Sequence, residues 1–375
     1  MPGRHSGASH NAHPADDAVK LRPLLLALLG LHLGGCSGLG YYAQAALGQA
    51  DIWSRSQSVT AVQAESTTPA ALHAQLQLAQ SIRSFATTTL GLPDNDSYRR
   101  YADVGRPFVV WNVFATAPYS VEPLQWCFLV AGCVSYRGHF AEATAQADAA
   151  NLRARGLDVH IAGVSAYSTL GWFDDPLLNT FIHYPELELA RLIFHELAHQ
   201  VVYVPDDTEF NESFAVAVET EGLRRWVHAR GEPDLAEQLA ATQERRDDFT
   251  RLVQHYREAL RSAYSEETDD HARARRKRDL IQSLRDEYRE LREGPWKGYR
   301  GYDRWFGQEI NNATLASIGL YSGLVPAFIA LLEAERGNLP RFYTRVAALK
   351  LMAKDERRAA LRPSVSTPAS NTRPD

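Results

Sequence analysis

Residues 192–199, Leu192-Ile193-Phe194-His195-Glu196-Leu197-Ala198-His199, spell HExxH within a run of apolar residues at helical spacing that opens after Pro185 and closes at Pro205. Histidines four apart stand on one face of a helix about one turn from each other, so two imidazole nitrogens can bind a single metal ion. Among biological cations Zn2+ suits such donors best. Glu196 follows the first histidine and is placed to take a proton from a water on that metal. The apolar setting predicts that this helix is buried, which makes it the element around which the rest of the chain packs.

A catalytic zinc needs a third protein ligand and one open position. No HxxGxxH continuation follows His199, which argues against the metzincin arrangement. The acids downstream are Asp206, Asp207, Glu209, Glu212, Glu219 and Glu221. If the chain reverses through Pro205-Asp206-Asp207 and a second helix starts near Thr208, His199 and Glu212 lie six and seven residues from Pro205. At 1.5 Å rise that places both at similar height on an antiparallel pair, roughly 9–10 Å from the turn, so Glu212 is the expected third ligand. Thr208 is the expected N-cap, which leaves Glu209 as a structural acid drawn towards solvent and the helix dipole. Glu219 falls two turns beyond Glu212 on the same face. It reads either as a partner of His195 or of a substrate amine, or as an ordinary surface acid. Asp206 and Asp207 read as turn residues.

A hydrolytic site also benefits from a donor aimed at the developing oxyanion. Tyr321, at the end of the polar-edged apolar stretch Asn311–Tyr321, is the candidate, with Tyr203 and Tyr167 as rivals, and each has a core or rim tyrosine as its bland alternative. The segment Ser165–Pro176 (SAYSTLGWFDDP) reads in two ways. It could be a wall along which an extended peptide lies, or a capping loop with Trp172 buried.

Outward from this core, helical spacing covers 40–58 and 68–92, and β-branched and aromatic residues mark a strand over 106–116 (RPFVVWNVFAT). In WCFLVAGCVSYRGHF, two β-prone runs form a hairpin that would set Cys127 opposite Cys133, and a disulfide is expected there. An alanine-rich helix over 141–156 leads into a fourth strand at 157–162, giving a small mixed sheet. From Asp175 the pattern is helical. It includes a strongly charged stretch over 231–296 that reads as a solvated antiparallel hairpin, then apolar helical residues over 310–332, one further helix to about Leu361, and a polar tail.

The chain has 375 residues, 45% hydrophobic and 23% charged, with 40 basic against 45 acidic side chains and a net charge of −5, so no basic excess exists to neutralise phosphates and nucleic acid is excluded as a partner. With Cys 3, Gly 24 and Pro 18, disulfide-scaffold and collagen-like classes are excluded too. The apolar run Pro23–Gly35, behind Lys20 and Arg22, is too short to span a bilayer but suits the core of a secretion signal. Its end, Leu33-Gly34-Gly35-Cys36, resembles the bacterial lipobox, which makes Cys36 the expected lipidation site. A buried helix or plain signal peptide is the alternative.

These stretches together resemble a family of bacterial lipoproteins identified from sequence as predicted zinc aminopeptidases. The resemblance runs from GYYAQAALGQ at Gly40 through LPDNDSYRRYADVGRPFVVWNVFA, WCFLVAGCVSYRG, AYSTLGWFDDPLLNT and IFHELAHQVVYVPDDTEFNESFAVAVE to Asn312–Pro326. FNESFA (Phe210 to Ala215) is similar to the NE-x-FA element of gluzincin peptidases, whose glutamate is the third zinc ligand and falls on Glu212. No GxMEN-like segment is present, and the link from His199 to Glu212 is shorter than gluzincins usually have. The expected architecture is α+β, a zincin-like catalytic region with a small mixed sheet and a mostly helical remainder. It divides into a signal peptide (1–35), an N-terminal helical region (36–104), a catalytic core (105–230), a charged hairpin (231–296), C-terminal helices completing the core (297–361) and a tail (362–375). The expected activity is zinc-dependent peptide hydrolysis, as an aminopeptidase. The alternatives are an endopeptidase or cell-wall peptide hydrolase, and a non-catalytic zinc-binding scaffold that docks a protein partner on its hairpin. The expected location is the outer membrane, lipid-anchored and facing the periplasm.

Overall fold

In the computed structural model the described residues are Gly3, 40–128, 132–318 and 323–361. Cys36, Tyr321 and the 362–375 tail lie outside them. The chain forms two compact units, 1–50 and 51–375. Residues 40–55 are the helix α1. There follow β1 (Gln57–Ser58), α2 (Val59–Ala64), α3 (Ala70–Thr88), β2 (Arg100–Ala102), β3 (Val110–Thr116), β4 (Trp126–Phe128), β5 (Gly132–Val134), β6 (Arg137–His139), α4 (Glu142–Ala154), β7 (Asp158–Val164) and β8 (Leu177–Leu178). Helices then take over: α5 (Glu186–Val201), α6 (Thr208–Arg230), α7 (Pro233–Glu266), α8 (Asp270–Glu293), α9 (Asp303–Gly307), α10 (Asn312–Ile318), α11 (Val325–Ala334), α12 (Leu339–Leu349) and α13 (Lys354–Leu361). The protein is mixed α and β, mostly helical, with small sheets.

The strands form three sheets rather than one. β6-β3-β7 is antiparallel throughout, β1-β2-β8 contains the one parallel pairing among the described strands, and β4-β5 stands apart. At the hairpin's edge the Cys133 N–H donates to the Asp206 carboxylate, in the turn between α5 and α6. Gly132 lets this approach happen. It adopts φ +71°, and a Cβ on it would lie 2.4 Å from Asp206 Oδ1. Cys127 and Cys133 face each other in register and are bridged.

Pro185 precedes α5 and Pro205 follows it, as helix-limiting residues should. Asp206 turns the chain in the left-handed region at φ 65°, and α6 begins at Thr208. The capping position is therefore Asp207 rather than Thr208. Asp207 is also no exposed turn acid, since it is buried and pairs with Arg357 of α13 at 2.8 Å. Glu209 likewise pairs with Arg358 instead of facing only water. The main core gathers α3, α5, α6, α11 and α12 around Phe194, Phe210, Phe214, Phe328 and Phe342. A smaller one packs α4 beneath β3 through Trp111, Val113, Ala145 and Leu152.

The charged hairpin is not merely solvated. α7 and α8 enclose Phe249, Leu252, Val253, Leu260, Leu280 and Leu284, closed by Trp296, Phe306 and Leu315. Aromatic residues from 296–306 complete the apolar stripe of the two helices, with Tyr288 and Phe306 stacked at 3.8 Å. The helical region read over 310–332 holds α10 and α11, and the one helix read up to Leu361 is two, α12 and α13.

α6 approaches α5 closely because Gly222 offers no side chain. A Cβ there would lie 2.7 Å from the Phe194 ring and 2.9 Å from Leu90. Gly222→Ala is expected to cost about 1–3 kcal/mol by overpacking. An unchanged urea midpoint would show that this contact does not set the helix spacing.

Candidate metal centre

His195 and His199 sit one turn apart on α5 with their rings nearly perpendicular, and their Nε2 atoms are 3.2 Å from each other. From α6, Glu212 brings Oε2 to 3.3 Å from His195 Nε2 and Oε1 to 3.8 Å from His199 Nε2. Seven residues further along α6, Glu219 Oε2 lies 2.9 Å from His195 Nδ1. The order of contacts is opposite on the two helices, His199 with Glu212 and His195 with Glu219, so the pair runs antiparallel. What sets its register is Asn211, whose carboxamide accepts from the Val204 N–H and donates to the Val204 carbonyl, both at 2.8 Å.

These three residues are the one histidine, cysteine or carboxylate cluster among the described residues that could hold a metal ion, with ligand atoms all within 4.8 Å. The distances can be tested against a tetrahedral ion. Bonds of about 2.0–2.1 Å require ligand atoms roughly 3.3 Å apart, close to the two shorter separations here. The donor chemistry fits as well. His195 Nδ1–H donates to Glu219, which leaves a lone pair on Nε2 directed at the cluster. A divalent cation is what two facing imidazole lone pairs and a carboxylate can share.

Burial shapes each group. It lowers His199 to about 4, in the neutral form a ligand must have. For His195 burial acts the same way, but hydrogen bonds to Glu212 and Glu219 outweigh it and raise the imidazole to about 10, so a cation would have to displace a proton from Nε2 before that lone pair could bind it. Glu219 is 1% exposed, and despite that burial Arg191, Arg246 and His195 hold it well below the usual carboxylate range. Burial lifts Glu196 to about 7. Glu212 is pushed up by burial and pulled further down by the facing imidazoles.

A cavity of about 340 Å3 opens on His195, Glu196, Arg191 and Glu219, and is walled by Ser165, Ala166, Tyr184, Leu192, Val216 and Arg246. Ser165 and Ala166 continue from β7, which pairs with β3 on one side and with no strand on the other among the described residues. Trp172 is not the buried plug of the capping-loop reading, for it is 73% exposed. Tyr167 packs edge-on against Phe140 and does not line the cavity, whereas Tyr184 does, its hydroxyl 2.7 Å from Ser165 Oγ. Tyr203 is half-buried, its phenol raised by burial and by the carboxylates of Glu212 and Asp206. Glu219 is not a surface acid, and with His195, Arg191 and Arg246 on its oxygens it has little left for a substrate amine.

Sequence reasoning missed Asn211, Arg191, Tyr184 and Arg246. Arg191 had a signal, being four residues before His195 on the same helix face. Tyr98 was also missed. It is fully buried with no hydrogen-bond partner for its hydroxyl among the described residues, and burial, reinforced by Glu196 and Asp175, holds its phenol well above its ordinary value.

The cavity wall is anchored by Asp175, which accepts from the Thr169 N–H at 3.0 Å and whose carbonyl accepts from the Tyr98 N–H at 2.6 Å. Burial raises its carboxyl from 3.8 to about 6. The folded chain therefore keeps this proton to higher pH than the unfolded chain does. Stability should fall as pH rises from about 4 to about 6 and stay lower above, by up to roughly 3 kcal/mol. Urea midpoints compared across pH 4–7 should show that slope in the wild type and a flatter one in Asp175→Asn. Parallel profiles would refute it.

A family model described as "Putative aminopeptidase" matches residues 40–361. No curated protein and no solved structure matches the chain. The match runs from the first residue of α1 to the last of α13 and takes in the whole histidine and carboxylate cluster, so the chain belongs to this aminopeptidase-like family.

Proposed function

We propose that the protein is a zinc-dependent peptidase with a zincin-like catalytic region, in which His195, His199 and Glu212 hold the ion. The observation that carries this reading is the gathering of His195, His199 and Glu212, with ligand atoms within 4.8 Å of one another, beside a cavity that Glu196 lines. Zinc held there supplies a Lewis acid for the peptide carbonyl and acidifies a water. The chain's own residues do the rest. Glu196 takes the proton from the attacking water and delivers it to the departing amine. Glu219 holds His195 in the tautomer whose Nε2 is free, and Arg191 and Arg246 keep Glu219 ionised.

Ser165 and Ala166, beyond the end of β7, offer backbone along which an extended peptide can lie. Tyr184 is a hydroxyl donor on the same wall, and Tyr321 keeps its proposed oxyanion role outside the described residues. Removal of an N-terminal residue, rather than cleavage within a chain, rests on the family alone. The open cavity favours catalysis over a closed structural zinc. In this reading Cys36 carries a lipid and the catalytic unit faces the periplasm from the outer membrane. No helix among the described residues is long and apolar enough to cross a membrane.

Glu196→Gln should retain zinc by elemental analysis and lose about 10²–10⁴-fold in kcat/KM, whereas His195→Ala should lose metal and turnover together. Undiminished hydrolysis by Glu196→Gln would refute the mechanism. Peptides with free and acetylated N-termini separate an aminopeptidase, which needs the free amine, from an endopeptidase.

A further inference from the structure

The charged hairpin reaches the candidate site. Arg246 of α7 lines the cavity beside His195 and Glu196, and its Nη2 donates to Glu219 Oε1 at 3.0 Å. A second cavity of about 200 Å3 adjoins the first, since Arg191 and Arg246 line both. Its other walls are Glu188, Thr242, Arg245, Tyr299 and Tyr302. Three guanidiniums thus meet two carboxylates, and both carboxylates are already engaged. Glu188 accepts from Arg191 Nε at 2.8 Å, and Glu219 accepts from Arg191, Arg246 and His195.

Arg245 has no carboxylate partner among the described residues and lies over the Tyr299 ring, 4.1 Å from its centroid. Stacking holds a guanidinium's plane in place while leaving its edge donors directed outward. Arg246 spends one of its five N–H groups on Glu219 and is itself about one-third exposed. Unspent guanidinium donors on a cavity wall, flanked by two tyrosines, match a planar anion that accepts two parallel hydrogen bonds. The chain as a whole is negative, so this local cationic excess is not a by-product of composition.

We propose that Arg245 and Arg246, backed by Arg191, form a subsite that binds a carboxylate of the substrate beside the metal cluster, and that α7 enters the site in order to supply it. The proposal rests on the peptidase reading for its substrate, a peptide. The carboxylate is that of an acidic side chain near the scissile bond or of the C-terminus of a short peptide.

Three dipeptides distinguish these sources. Ala-Glu amide carries a side-chain carboxylate only, Ala-Gln acid a terminal one only, and Ala-Gln amide neither. Binding of each is measured by calorimetry to the zinc-loaded Glu196→Gln protein, so that no turnover is needed. At least one of the acids should bind roughly tenfold to a hundredfold more tightly than Ala-Gln amide, the usual yield of a charge-assisted pair. Which acid does so identifies the source.

In Glu196→Gln/Arg245→Gln the preference should shrink to less than threefold, and in Glu196→Gln/Arg245→Lys, which keeps charge but not the fork, it should be intermediate. Equal binding of all three peptides, or a preference untouched by both Arg245 substitutions, overturns the subsite. The outcome is separable from that of the peptidase reading. Preference without hydrolysis by wild-type protein would sink the peptidase and leave the carboxylate site, and hydrolysis without preference would do the reverse.

Discussion

Two hydrogen bonds between the Asn211 carboxamide and the backbone of Val204 decide how far α6 slides along α5. A shift of one residue would turn Glu212 by about 100° around its helix and carry it away from the histidines. The clamp acts on the residue immediately before Glu212, where a backbone error propagates least. It also satisfies the buried N–H and C=O of Val204, groups that a chain leaving a helix would otherwise strand. Around it the turn is secured from two sides, by the Cys133 N–H on Asp206 and by Arg357 on Asp207. The disulfide hairpin and the last helix are distant in sequence, yet both bear on the loop that sets the ligand register.

Glu219 shows why the cluster needs so much surrounding charge. An ionised carboxylate this deeply buried costs several kcal/mol in desolvation unless it is fully paired. Here one oxygen accepts from His195 and Arg191 and the other from Arg246. The two guanidiniums keep the proton off Glu219, and Glu219 in turn keeps a proton on His195 Nδ1. Remove the arginines and the buried acid would tend to protonate, which would weaken its control of the tautomer. α7 is thus coupled to His195 through Glu219.

The α5–α6 pair was legible because its signals are local. HExxH lies at helical spacing, Pro185 and Pro205 bracket the helix, and the count of residues across the turn aligns Glu212 with His199. Errors arose where a distant segment determines the environment. Asp207 looks like a turn acid until Arg357, 150 residues later, buries it. Trp172 reads equally as a buried cap or as part of an outward-facing loop, and only packing leaves it exposed, while Tyr167 packs its ring on Phe140. Helical period predicts that α7 has an apolar stripe, but not which of its arginines faces α6, because that depends on the rotation of one helix against another. The β4–β5 hairpin itself was legible, but its contact with the α5–α6 turn was not, since the partner of its Cys133 N–H is a side chain in another part of the chain.

Packing positions the donor atoms. Glu212 lies between Asn211, fixed to Val204, and Phe214, which meets Phe328 at 5.8 Å and Phe342 at 5.8 Å. On the other helix, Phe194 precedes His195 and fills the space that Gly222 leaves open. Each of the three candidate donors is adjacent in sequence to a residue locked by the core, so little conformational entropy would remain to be lost on binding a cation. The same rigidity explains the placement of Glu196. It follows His195 on a buried helix, so it can face the cavity only if the helix does, and the cavity lies where β7 ends and α7 crosses. A site built this way has fixed chemistry on α5 and α6, while the elements that differ in character, a strand end and a charged helix, supply the walls a substrate would meet.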